Sequence, residues 1–212
     1  MRRMDRDFVV SQFTRYVQGF DQKEEGVRLK YAHSLRVSGL CEQIALSLDL
    51  SQADVICMAI DQHNVYQLRR DLTPRQQLFC QLIRDVDKID IFRVYVMYMR
   101  QKKNIWNVDW SDFENQPISD VVMAQARQGK LVRTQDKKTF MDFYVGALCF
   151  YFDLVYPKSR QLAREQGYLD RLLDFHSQNV DSEGKLDEIR RLVRGTGTLP
   201  QPSFTGTIYK NM

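Results

Sequence analysis

Apolar residues recur every three or four positions over most of the chain, which predicts helices rather than strands. Phe8, Val9, Phe13, Tyr16 and Val17 form such a stripe over residues 5–20, closed by Gly19 and the charged run at 21–25. A second stripe, Leu29, His33, Val37, Leu40, Ile44 and Leu48, predicts a long helix over roughly 24–48. Thr73, Pro74 and Gln76 form a helix-start signal: an N-cap, a proline at the first helical position and a capping-box glutamine. The stripe of that helix is Phe79, Ile83, Asp87 and Ile91, with Val86 and Asp90 beside it. Residues 101–117 read as a loop, and Ser119 is placed to cap a helix running to about Gln128. Residues 138–156 are apolar nearly all round, which predicts the central buried helix, stopped by Pro157. Shorter helices are expected at about 158–166, 168–177 and 182–194, with Gly167 as a C-cap. From Gly195 the glycines and prolines predict a loose or docked extended tail. The pattern is that of one all-α domain over 1–194 with a tail at 195–212.

Composition narrows the class without naming it. Of 212 residues, 43% are hydrophobic and 27% charged, which is globular usage and not that of a disordered chain. The 31 Lys and Arg against 27 Asp and Glu leave +4, spread along the chain, so no nucleic acid polymer is expected as a partner. The longest near-apolar stretch, Phe143 to Phe152, is far short of the ~20 residues of a membrane-spanning helix. Arg2, Arg3, Asp5, Arg6 and Asp7 break any apolar core of a signal peptide. Cys41, Cys57, Cys80 and Cys149 are far apart among apolar neighbours, as buried free thiols of a reducing cytoplasm would be. No P-loop, dinucleotide-binding or nucleophile-elbow signature is present.

Chemistry must then come from polar residues that interrupt apolar stripes. His33 lies between Leu29 and Val37 on the inward face of its helix and reads either as a hydrogen-bonded core histidine or as a ligand. Arg36, three residues on, reaches a neighbouring face and could meet a phosphate or solvent. Asp87 shares a stripe with Ile83 and Ile91, and a carboxylate there needs a cation, a metal or several donors. Arg84 and Lys88 could each pair with it or face a substrate anion. His63 follows Ile56, Ala59 and Ile60 in helical steps, so it too could face inward or cap a helix end. His176 sits in a polar context and reads as surface. Helical bundles build metal sites from single inward ligands on several helices.

The run Lys30-Tyr31-Ala32-His33-Ser34-Leu35-Arg36-Val37 resembles the first-histidine helix of HD-domain metal-dependent phosphohydrolases. Ala59-Ile60-Asp61-Gln62-His63-Asn64 and the stretch Leu78 to Asp90 resemble the later part of the same domain. Tyr168-Leu169-Asp170-Arg171-Leu172 is similar to a C-terminal helix of a bacterial subgroup. The resemblance spans most of the chain, and Arg84-Asp85-Val86-Asp87-Lys88-Ile89-Asp90 is its most specific part. It implies a helical bundle of HD-domain type and a divalent metal ion held by a His, a His-Asp dipeptide and a distant Asp. His33 matches the first His and Asp87 the last Asp. The dipeptide has no counterpart, because Ser34, Asn64 and Ser177 follow the three histidines. Only about ten residues separate Leu48 from Ala59, where the family has several tens.

Two readings of that gap remain open. The chain as written skips residues that the full protein has, in which case one step near Asp54–Val55 would exceed the 3.80 Å between bonded Cα atoms. Otherwise the segment is truly deleted. The first is expected, since removing a layer of a bundle would uncover apolar surface at roughly 25 cal/mol per Å². The resemblance then implies a hydrolase of a phosphomonoester or nucleotide. Its metal, Mn, Fe, Co, Ni or Zn with Mg as an alternative, would polarise the phosphoryl group and activate water. His63 and Lys88 are the implied catalytic groups, and Arg36 and Arg84 the implied substrate-binding groups. The expected partner is a small phosphorylated substrate, and a homodimer is compatible with the sequence. The alternative is a non-catalytic HD-like binding or scaffold domain in which His33 and Asp87 pair directly. A third reading is an unrelated helical interaction protein, with Tyr95, Met97, Tyr98 and Met99 as a sticky face, although these residues suit a core better.

Overall fold

The computed structural model describes residues 6–21, 23–47, 74–101 and 112–195. Among them are eight α-helices and no strand, so the chain is mostly helical, as the periodicity predicts. None of the described helices is long and apolar enough to cross a membrane. The helices are α1 (Arg6–Val17), α2 (Glu25–Ser47), α3 (Pro74–Gln101), α4 (Asp120–Arg127), α5 (Phe140–Leu148), α6 (Pro157–Glu165), α7 (Tyr168–Leu173) and α8 (Val180–Gly195). Short 3-10 helices lie at Phe113–Asn115, Thr134–Asp136 and Cys149–Asp153. The chain divides into two compact units, Met1–Asp90 and Ile91–Met212, with the division inside α3. Thr73, His63, the expected step near Asp54–Val55 and the tail beyond Gly195 lie outside the described residues.

In the first unit, Leu40, Cys41 and Ile44 of α2 are buried, as the stripe requires. The stripe of α1 holds only in part. Val17 is buried and Phe13 stacks on Tyr31 at 5.8 Å, but Tyr16 is 67% exposed and meets Phe20 edge-on instead. A tyrosine keeps its hydroxyl wet at little cost while its ring packs sideways. α3 has no single apolar face. From Leu78 to Tyr98 nearly every side chain is shielded, including Gln81, Arg84, Asp85, Lys88, Asp90 and Arg93. Burying so many polar groups on one helix requires that each be hydrogen-bonded or paired.

The second unit is built around α5. Met141, Tyr144, Val145, Ala147 and Leu148 are fully shielded. They pack with Val122 and Met123 of α4, Leu172 and Leu173 of α7, and Ile189 and Val193 of α8 as its core. Phe113 joins this core and meets Phe140, Tyr144 and Phe175 at centroid distances of 5.4, 5.7 and 5.0 Å. Residues 138–156 are largely shielded, with Lys138 and Phe143 exposed, but do not form the one helix expected. α5 ends at Leu148, and Cys149–Asp153 tightens into a 3-10 helix. Such tightening gives the last carbonyls of a helix nearer partners. Pro157 begins α6 rather than merely stopping its predecessor, with Tyr156 extended before it (φ −82°, ψ 139°). α7 is shorter than expected, ending at Leu173, and α8 starts two residues earlier than the expected 182.

Gly167 follows α6 with φ +68°, the left-handed conformation that its sequence position suggests. Gly167→Ala meets no steric obstacle there, so its effect isolates the backbone term. It is expected to cost about 1 kcal/mol, read as a lower urea midpoint.

Candidate functional site

The first unit brings two pairs of polar residues face to face. His33 and Arg36 are three residues apart on α2, and Asp87 and Asp90 are three apart on α3, so each pair shares one helical face. His33 Nε2 lies 3.0 Å from Asp87 Oδ1, and His33 Nδ1 lies 2.6 Å from Asp90 Oδ2. Arg36 Nε donates to the other Asp90 oxygen at 2.7 Å. Asp90 is the most shielded member, its side chain 2% exposed, while His33 and Asp87 retain 17% and 13%. Arg36 Nη2 is buried and has no hydrogen-bond partner among the described residues.

The protonation of His33 follows from this geometry. A neutral imidazole has one N–H and one lone pair, so only one of the two carboxylates could accept from it. Both contacts are satisfied together only by the imidazolium. The hydrogen bonds to Asp87 and then Asp90 accordingly raise the His33 pKa to about 9, against burial, which alone would lower it.

The same atoms also fit a metal ligand pair. Metal-ligating histidines characteristically donate their second N–H to a carboxylate, which is the role Asp90 has toward Nδ1. Two ligands at ~2.1 Å subtending a right angle at a metal lie about 3.0 Å apart, the separation seen between His33 Nε2 and Asp87 Oδ1. The pair alone is an incomplete ligand set: no group of three or more His, Cys, Asp or Glu side chains suited to hold a metal is found among the described residues.

The other candidate residues are placed as follows. Lys88 is 6% exposed and its Nζ donates to the Arg84 carbonyl one turn back, at 3.3 Å. Arg84 is 5% exposed, one turn before Asp87. The side chain that meets Asp87 is His33, from α2. His63 lies outside the described residues. His176 is exposed, as its context suggests, with Nδ1 2.8 Å from Glu183 Oε1. Burial alone would raise the Glu183 pKa, but Arg190, the Ser177 amide and His176 hold it down at about 2.

Asp90 is the site residue that sequence reasoning leaves without a role. Its signal is nonetheless in the chain: His33 and Arg36 have the same three-residue spacing as Asp87 and Asp90, so two inward residues on one helix require two partners on the other. Compared with known proteins, the chain matches no family model, no curated protein and no solved structure.

Proposed function

We propose that this chain is a metal-dependent phosphohydrolase of HD-domain type, acting on a small phosphomonoester or nucleotide. The observation that carries the reading is the 3.0 Å pairing of His33 Nε2 with Asp87 Oδ1 while Nδ1 is tied to Asp90. A divalent metal there would supply Lewis acidity toward the phosphoryl oxygen and a more acidic water. His33 and Asp87 are two of its protein ligands. Asp90 fixes the imidazole orientation and keeps the proton on Nδ1. Arg36, anchored through Nε to Asp90, keeps a buried Nη2 whose N–H groups suit a phosphate oxygen. By the family resemblance Arg84 is assigned to substrate binding and His63 and Lys88 to catalysis. The buried thiols Cys41, Cys80 and Cys149 favour a reducing cytoplasm as its location.

One observation favours a second reading. In the structure both ring nitrogens of His33 are engaged by carboxylates, the arrangement that a buried ion pair of a non-catalytic helical domain would have. The two readings separate in protein expressed from the complete gene. After dialysis against Mn²⁺, Co²⁺ or Zn²⁺, the enzyme reading expects bound metal and hydrolysis of p-nitrophenyl phosphate. Asp87→Ala should abolish both. Metal affinity unchanged in Asp87→Ala would remove Asp87 as a ligand, and absence of metal in the parent protein would leave the non-catalytic domain.

A further inference from the structure

Outside the His33 site, Lys137 is held in an unusual setting for a lysine. It precedes α5, and its side chain lies back across that helix at Gly146. A Cβ at position 146 would meet Lys137 Cε at 2.7 Å and Nζ at 2.8 Å, so the bare backbone of Gly146 is what admits the stem. Nζ sits 5.1 Å from the centroid of the Phe143 ring, which attracts a cation without accepting a conventional hydrogen bond. Among the described residues Nζ makes no hydrogen bond.

The nearby groups that could balance its charge do not do so fully. Asp142 already accepts from the Ser119 amide and hydroxyl and from the Lys138 and Thr139 amides. Burial pushes the Cys149 thiol up to about 12, so it stays protonated at neutral pH. Burial therefore lowers the Lys137 pKa, against a smaller opposing influence from the Asp142 carboxylate. Other lysines of the unit differ. Lys185 is paired with Asp120 and Asp181, Lys130 donates to Gln128, and Lys138 is exposed next door.

We propose that Lys137 is a site of N-acylation, taking its acyl group from a small acyl phosphate or acyl thioester. The neutral amine nitrogen attacks the carbonyl carbon, forming the C–N bond. The C–O bond to phosphate or the C–S bond to the thiol breaks, the leaving group departs with the electron pair, and the amine proton goes to solvent. The product is an uncharged amide, which removes a poorly solvated charge while the stem keeps its seat on Gly146. Lys137 is half-buried and Phe143 is 37% exposed, so the cradle lies at the surface of the unit and not in its core.

The test uses the folded full chain at neutral pH, with acetyl phosphate and acetyl-coenzyme A in separate arms. Site occupancy is followed by quantitative peptide mass spectrometry. Lys137 is expected to be acylated several-fold faster than Lys138 and Lys130 in at least one arm, and the arm that reacts identifies the donor class. Gly146→Ala fills the cradle with a helix-compatible residue and should reduce the Lys137 rate to that of Lys138. Phe143→Leu removes the ring at a partly exposed position and should reduce the preference independently. Lys137→Gln, which mimics the acylated state, should melt at or above the parent temperature. Equal rates for Lys137 and Lys138 in both arms would overturn the proposal, as would a preference that survives both Gly146→Ala and Phe143→Leu.

Discussion

Asp142→Ala is expected to destabilise the second unit by about 4 kcal/mol or more, the largest effect of any single substitution there. The Asp142 side chain is fully buried. One carboxylate oxygen accepts from the Ser119 amide at 2.7 Å. The other accepts from the Ser119 hydroxyl at 2.7 Å, the Lys138 amide at 2.8 Å and the Thr139 amide at 3.2 Å. It is also the acidic half of the α5 capping box, reciprocated by Thr139 Oγ1 accepting from its amide. The carboxylate thus joins the start of α4 to the start of α5 and satisfies three main-chain donors. Alanine would leave those three N–H groups without their acceptor, at roughly 1–3 kcal/mol each. An asparagine side chain would keep the shape but turn an amide NH₂ toward donors on one side, so Asp142→Asn is expected to cost about 2 kcal/mol. Thr139→Ala, which removes the reciprocal bond and the hydroxyl's donation to the Pro117 carbonyl at 2.8 Å, should cost about 1 kcal/mol. Urea unfolding followed by circular dichroism gives all three values. A loss below about 1 kcal/mol for Asp142→Ala would show that water or relaxation supplies the missing acceptors.

The contrast between Asp142 and Asp87 explains how much of the molecule is legible in the sequence. Asp87 interrupts an apolar stripe, and so does His33 on another helix; a periodic pattern makes such interruptions visible, and the structure puts the two 3.0 Å apart. Asp142 sits inside a stretch apolar all round, where no face exists for it to interrupt; its capping-box spacing from Thr139 is visible in the sequence, but its partners 23 residues away, the Ser119 amide and hydroxyl, are not. Arg190 is invisible for the same reason. It is buried and donates to the Leu173 and Phe175 carbonyls and to Glu183, holding the end of α7 against α8. Main-chain partners carry no side-chain signature, so the long-range contacts of these two residues emerge only in the folded structure. Helix boundaries with local chemistry, the start at Pro74, the break at Pro157 and the left-handed Gly167, are readable because one residue's own backbone preference decides them. The Ser119 cap is readable in position but not in role: its hydroxyl donates to Asp142 and makes no cap bond of its own. The tightening after Leu148 is not readable, since Cys149-Phe150-Tyr151-Phe152 continues the apolar pattern without a break.

At the His33 site, stability should fall as pH rises between 6.5 and about 9, and Asp90→Asn should remove part of that dependence, leaving the larger share that Asp87 supplies. The His33 pKa is raised to about 9 from an ordinary 6.5, so the folded state holds a proton that the unfolded chain releases in this window. The contribution is fully present below 6.5, shrinks through the window and is lost above about 9. Its full size is of order 3 kcal/mol, since the imidazole is mostly shielded. Asp90 receives both His33 Nδ1 and Arg36 Nε while almost fully buried. Asp90→Asn therefore leaves two cations short of their counter-charge and should cost about 3 kcal/mol below 6.5. In the same variant the His33 pKa, followed by the NMR shift of its ring Cε1–H, should fall below about 9 while Asp87 still holds it above 6.5. A flat stability profile across the window in the parent protein would mean that His33 is neutral and only one carboxylate contact is real. Metal sharpens the test. If His33 and Asp87 are ligands, a divalent cation must displace the proton on Nε2, so binding at neutral pH releases about one proton per ion. Calorimetry in buffers of different ionisation enthalpy reads that proton directly. Binding without proton release would place the ion elsewhere and leave His33 as the imidazolium of a carboxylate clamp.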